Sequence, residues 1–123
     1  MSTLFESMHI KSLELSNRFV RSATGDGCAD QAGHVTEKHL KMIEEAGKKG
    51  VKILCLQEIF NGPYFCPSQD PRWYDAAEAV PGPTVEKLQP IAKKYGMAMV
   101  VPVYEREMAG ASYNTAAVLD HDG

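Results

Sequence analysis

Apolar residues recur along the chain with more than one rhythm. Residues 3–15 alternate loosely, with Leu4, Met8, Ile10, Leu13 and Leu15 apolar, and Lys11-Ser12 falls where a small hairpin would turn. Asn17 to Thr24 (NRFVRSAT) reads as a strand, and a Gly- and Asp-rich loop follows from Gly25 to Gly33. The rhythm then becomes helical. Thr36 suits the N-cap of a helix whose Leu40, Ile43 and Gly47 share one face. Glu44–Lys48 and Glu45–Lys49 stand at i,i+4 in the favourable order, together adding ~0.5–1 kcal/mol. Gly47 costs that helix about 1 kcal/mol relative to alanine, and Gly50 supplies a left-handed stop.

Val51 to Leu56 (VKILCL) is nearly continuous apolar sequence, which predicts a buried strand in a sheet covered on both faces. A long loop rich in Pro, Gly and aromatic residues runs from Asn61 to Pro81. Pro83 sits where the first position of a second helix belongs, with Val85, Leu88, Ile91, Ala92 and Tyr95 on its apolar face. Pro90 removes a hydrogen bond inside that helix and predicts a kink costing up to ~3 kcal/mol. Met97–Val103 and Tyr113–Leu119 read as two further strands, and a turn at His121-Asp122-Gly123 follows the second of them. The predicted order is β, α, β, α, β, β.

Composition narrows the function classes. With 123 residues, 44% hydrophobic and 24% charged, the chain has the makings of one packed domain of ordinary size. A formal net charge of −3 offers no footprint for nucleic acid, and Lys48-Lys49 and Lys93-Lys94 are isolated pairs that suit solvated helix ends. No apolar run approaches the ~20 residues of a membrane helix. Met1 to Ile10 carries Glu6 and His9 and lacks the apolar stretch of a signal peptide. Cys28, Cys55 and Cys66 are odd in number and lack zinc spacing, which predicts reduced thiols in a cytoplasmic protein. His34, His39 and His121 have no partner spacing that suggests a metal.

One residue stands out chemically. Glu58 directly follows the buried apolar strand at its C-terminal end, where α/β proteins gather their sites. A carboxylate there is partly desolvated, which suits a general base. The other role open to it is a strand-end acid paired with a neighbouring Lys or Arg.

Two stretches resemble known families. Leu4-Phe5, Leu13-Glu14-Leu15, Asn17 to Thr24 and Gly33-His34-Val35-Thr36 resemble the N-terminus of the Old Yellow Enzyme family of FMN-dependent ene-reductases. That resemblance implies a hairpin and a first strand belonging to a TIM barrel, with Ala23, Thr24 and Gly25 as FMN contacts, vestigial in this chain. From about Lys38 onward the chain is similar to the nitrilase (carbon–nitrogen hydrolase) superfamily. The carriers are Gly50-Val51, Leu54 to Phe60 (LCLQEIF), Asn61 to Cys66 (NGPYFC), Trp73-Tyr74, Ala76-Ala77-Glu78 and Pro81 to Thr84 (PGPT). Val101 to Arg106 (VPVYER) and Tyr113 to Ala116 (YNTA) complete them. The nearest branch cleaves N-carbamoyl amines: the β-ureidopropionase and N-carbamoylputrescine amidohydrolase group.

These resemblances imply a chimera, with a flavoprotein-like segment over 1–37 and a truncated nitrilase-like domain over 38–123. The fold implied is α/β: an incomplete α-β-β-α sandwich of nitrilase type with a foreign first strand from a TIM-barrel flavoprotein. Glu58 becomes the base of a Glu–Lys–Cys triad whose Lys and Cys fall beyond residue 123, so the chain alone is expected to be an inactive hydrolase fragment. Neither Cys55 nor Cys66 matches the nucleophile position, and Cys55 is expected on the opposite strand face from Glu58. Tyr64 and Trp73 are candidates to line a substrate pocket or to pack on their own loop, and Glu105 and Asn114 either brace the site or serve as ordinary hairpin hydrogen-bonders. No cofactor is implied, FMN entering only if the chain is instead an ene-reductase remnant. A sheet without its second layer predicts exposed apolar surface and self-association. A non-catalytic module that binds a hydrolase subunit is the remaining expectation.

Overall fold

The structure is a computed structural model and describes residues 3–17 and 27–123. The strand expected over 17–24 therefore lies outside the described residues, apart from Asn17, as do Ala23, Thr24 and Gly25. Near the N-terminus β1 (Met8–Ile10) and β2 (Leu13–Leu15) form the expected antiparallel hairpin, with Met8 opposite Leu15. Its turn puts Lys11 at a φ of 56°.

The helix α1 (Glu37–Lys48) starts where Thr36 caps it. The Thr36 hydroxyl accepts from the His39 backbone N–H at 3.4 Å, and the Thr36 N–H donates to the His39 ring Nδ1 at 3.3 Å. Two N–H groups at the helix start are thus satisfied by a box in which histidine replaces the usual Glu or Gln. Inside the helix, a Cβ on Gly47 would lie 2.5 Å from Tyr95 Cγ. Glycine is therefore required for the two helices to approach. The anticipated i,i+4 pairs do not form. Lys48 instead bonds Glu45 at 2.7 Å, and Glu44 takes Lys94 from the second helix at 3.0 Å.

That second helix, α2 (Pro83–Tyr95), begins at Pro83 and runs unbroken through Pro90. Its N-cap is Gly82, where any Cβ would fall 2.1 Å from the Ala79 carbonyl oxygen. Glycine brings no capping oxygen, so Glu78 supplies one: its Oε2 accepts from the Thr84 N–H at 3.0 Å. Gly96 ends the helix in the left-handed conformation.

A three-stranded sheet carries these helices. Its order is β3 (Ile53–Cys55), β4 (Ala98–Met108), β5 (Ala111–Leu119), with β3 parallel and β5 antiparallel to β4. The β3-α2-β4 run is a crossover of the kind parallel strands need. Alternation along β4 sends Met99, Val101 and Val103 into the core with Leu88, Ile91 and Ala92 of α2, Ile43 of α1, and Leu56, Phe60 and Leu119. Each large side chain so buried contributes about 1.5–3 kcal/mol.

The reading of Val51–Leu56 as covered on both faces is corrected. Leu54 is half-buried and Leu56 is buried, but Ile53 is 53% exposed and Cys55 is exposed. In register with them on the same side stand Ala98, Val100 and Val118, the last 72% exposed. Both helices pack on the other side. The sheet is therefore two-layered here, and its second face is apolar and open.

The loop after β3 has structure of its own. A short 3-10 turn spans Pro71–Ala76, capped by the Asp70 carboxylate accepting from the Arg72 N–H at 3.0 Å. Glu78 then pairs with the end of β4: its N–H donates to the Tyr104 carbonyl at 2.9 Å, and its own carbonyl accepts from the Arg106 N–H at 2.8 Å.

Candidate functional site

Glu58 opens the turn that ends β3. The ladder reaches one residue beyond the strand, where the Leu56 N–H donates to the Val100 carbonyl at 3.0 Å. The backbone then reverses at Ile59, whose φ is 52°. A β-branched residue in the left-handed region is an outlier, and such positions cost on the order of 1–3 kcal/mol. The neighbours hold it there. Phe60 is buried against the edge of His39, with ring centroids 5.4 Å apart. Asn61, also buried, donates its side-chain amide to the Gly33 carbonyl and to the Thr84 hydroxyl, each at 3.3 Å. The Gly62 N–H closes the turn on the Ile59 carbonyl at 3.2 Å.

This turn throws Glu58 the opposite way from Phe60. Its carboxylate meets Asn114, whose side-chain amide donates to Oε1. Asn114 is opposite Tyr104 in the β4–β5 register and so belongs to the open face. Two expectations are corrected here. Glu58 is exposed at the end of the strand and not buried there. Cys55, paired with Val100, also projects to the open face, because β3 ends at Cys55 and strict alternation does not carry on through Gln57 to Glu58.

Tyr64 joins this group. Its hydroxyl is held above the ordinary phenol value, first by the hydrogen bond with the Cys66 side chain and then by the Cys66 charge, with desolvation and the Glu58 charge adding to the rise. Trp73 is placed differently. It stacks on Phe65 with centroids 5.5 Å apart and planes 14° from parallel, and Arg72 lies over its ring. With Phe65, Ile59 and Tyr104 it lines a small crevice under the loop. Glu105 accepts from the Thr115 hydroxyl, one residue on from Asn114 and on the other face of β5.

A larger cleft of about 170 Å³ opens at the start of α2, lined by Gly33, Glu78, Thr84 and Lys87 among others, and does not include Glu58. The capping role of Glu78 and the left-handed Ile59 went unread in the sequence. The three-residue step from Glu78 to Pro81-Gly82 was a possible signal for the first; isoleucine at φ > 0 gives no signal at all. Among the described residues no group of three His, Cys, Asp or Glu side chains is placed to hold a metal ion. None of their helices is long and apolar enough to cross a membrane.

The family described as Carbon-nitrogen hydrolase matches residues 20–123. A beta-ureidopropionase of Arabidopsis thaliana is 37% identical over 97 residues, covering 77% of this chain and 24% of the relative. An N-carbamoylputrescine amidase of Solanum lycopersicum is 34% identical over 109 residues, covering 87% of this chain and 36% of the relative. An omega-amidase of Xenopus tropicalis is 37% identical over 84 residues, covering 68% of this chain and 29% of the relative. The crystal structure of a carbon-nitrogen hydrolase from Helicobacter pylori G27 superposes with a TM-score of 0.64 at 26% identity, over 70% of this chain and 30% of that one. The chain thus spans about a quarter to a third of the length of these relatives. The family match begins at residue 20 and runs across Lys38, so the hydrolase pattern is not confined to 38–123. A foreign first strand from a TIM-barrel flavoprotein, and with it an Old Yellow Enzyme chimera, is not supported.

Proposed function

Because the chain belongs to the carbon–nitrogen hydrolase family, we propose that it carries the general base of an amidohydrolase acting on small N-carbamoyl amines, and that this base is Glu58. The observation behind the assignment is the bond from Asn114, which holds the Glu58 carboxylate over the open sheet face at the C-terminal end of β3. The named relatives include a beta-ureidopropionase and an N-carbamoylputrescine amidase, which favours N-carbamoyl substrates over other amides. Carbon–nitrogen hydrolases of this kind need no cofactor.

In the proposed reaction Glu58 takes the proton from a cysteine thiol, and the thiolate attacks the carbamoyl carbon. A lysine ammonium stabilises the tetrahedral oxyanion. Ammonia leaves with a proton returned by Glu58, which leaves an S-thiocarbamate on the cysteine. A water that gives its proton to the same carboxylate attacks that carbon, and the C–S bond breaks as the cysteine takes the proton back. The released carbamic acid loses carbon dioxide to free the amine. The resemblance puts that lysine and cysteine outside residues 1–123. Tyr64, beside Cys66 and within the influence of Glu58, is the better placed of the two aromatic candidates to meet substrate; Trp73 shapes the loop beneath.

Residues 1–123 alone are expected to release no ammonia, since Glu58 stands in water with no enclosure around it. The test is ammonia release from N-carbamoyl-β-alanine and N-carbamoylputrescine. Turnover abolished by Glu58→Gln would sustain the base and overturn the incompleteness; turnover that survives Glu58→Gln would overturn the base. The open apolar face favours a second property, self-association or docking on a hydrolase subunit. A concentration-independent monomer in sedimentation would exclude the first. Cys55 and Cys66, exposed and outside any disulfide, suit a cytoplasmic setting. Neither a division at Lys38 nor an FMN role for Ala23, Thr24 and Gly25 has an observation in its favour.

A further inference from the structure

We infer that Asn114 is a positioning residue for Glu58: its amide holds one carboxylate oxygen and thereby presents the other as the proton acceptor. The inference rests on Glu58 being the base. The donor comes from β5, the acceptor from the turn after β3, and β4 lies between them, so the bond crosses the sheet. A glutamate side chain in water rotates about several bonds. Here Oε1 is tied to Asn114, and among the described residues no hydrogen bond is made to Oε2.

The donor is itself held firmly. Asn114 lies within continuous β4–β5 pairing, from Met99 opposite Leu119 to Arg106 opposite Ser112. Its neighbour Thr115 faces the other way and donates to Glu105. Consecutive residues of one strand thus secure two carboxylates, one on each face of the sheet. At the acceptor end, Phe60 and Asn61 anchor the turn in the core, with the left-handed Ile59 between them and Glu58.

The chemistry suits an amide. A lysine or arginine in place of Asn114 would orient the carboxylate too, but its charge would hold the anion and weaken it as a base. An uncharged N–H donor orients with far less of that penalty. Asparagine is also short, which keeps the bond close to the sheet.

The test uses the isotopically labelled full chain in NMR. The Asn114 side-chain amide is expected to give two resolved, slowly exchanging protons, one of which moves in Glu58→Gln while the backbone amides of β4 and β5 stay in place. In Asn114→Asp, and in Asn114→Ala should the aspartate variant unfold, the Glu58 side chain is expected to become rotationally averaged with the same backbone spectrum. An Asn114 amide that exchanges freely and ignores Glu58→Gln would overturn the inference. In any preparation that turns over, Asn114→Asp should lower kcat about tenfold to a hundredfold, leave KM within about twofold, and be partly rescued by Asn114→Gln. Should the amide signature be present while Glu58→Gln leaves turnover intact, Glu58 is not the base but Asn114 still fixes it. Should Glu58→Gln abolish turnover while Asn114→Asp does nothing, the base stands and the positioning role is overturned.

Discussion

The two faces of the β3-β4-β5 sheet are built by neighbouring residues of the same strands, yet one is sealed and the other bare. Met99, Val101 and Val103 lie under the helices, while Ala98, Val100 and Pro102, each one residue away, look out on an uncovered face with Ile53 and Val118. The sealed side holds the large apolar contacts that fix the fold. The bare side holds the candidate chemistry, Glu58 with Asn114 and Tyr64. Stability and chemistry are thus divided by the pleat, and the candidate base faces the side this chain leaves uncovered.

The division can be tested from the sealed side first. Leu88→Ala, at a fully buried position, is expected to lower the unfolding free energy by about 2–5 kcal/mol in urea titration. A loss within the error of the fit would mean the helix layer is not closed. Gly47→Ala should cost about 1–2 kcal/mol by the same measurement, even though alanine is the better helix former by about 1 kcal/mol, because its Cβ meets the Tyr95 ring. A stabilised variant would show that α1 and α2 do not approach as described.

On the bare side the effects are smaller. Ile53→Lys with Val118→Lys should leave the unfolding free energy within about 0.5 kcal/mol while shifting sedimentation toward monomer, because both side chains are exposed. A large destabilisation would mean something already covers this face. Cys66→Ala is the gentlest probe. It removes the first cause of the raised Tyr64 hydroxyl, so that tyrosine should titrate lower, toward its ordinary value of 10.0, and stay somewhat above it under the Glu58 charge. Ring-carbon NMR of labelled tyrosine reads this residue separately, and an unmoved titration would place Cys66 away from Tyr64.

What the sequence disclosed depended on how local each cause was. Thr36 as an N-cap and Pro83 as a helix start are decided within one turn, and both helices begin as expected. Glu44 found its cation on the other helix, a partner 50 residues away that no local spacing reveals. The run VKILCL was misread because an apolar face does not disclose whether a second layer covers it. Glu58 was visible as the acid that directly follows an apolar strand, but that pattern alone suited an ion-paired strand end as well as a base, and the family resemblance was needed to separate the two. The strap from Asn114 was anticipated only as a choice between bracing the site and ordinary hairpin bonding. That the buried Phe60 can follow so soon after the exposed Glu58 hangs on the φ of Ile59, a conformation its residue type argues against.

The turn at Glu58–Asn61 also bears on how such a site can change over generations. Phe60 fills the core two positions along from a carboxylate that faces water. A lineage altering Phe60 is screened once for whether the chain still folds and again for where the acid lands. Few single substitutions pass both screens, so this short stretch should drift more slowly than the rest of the loop that follows it.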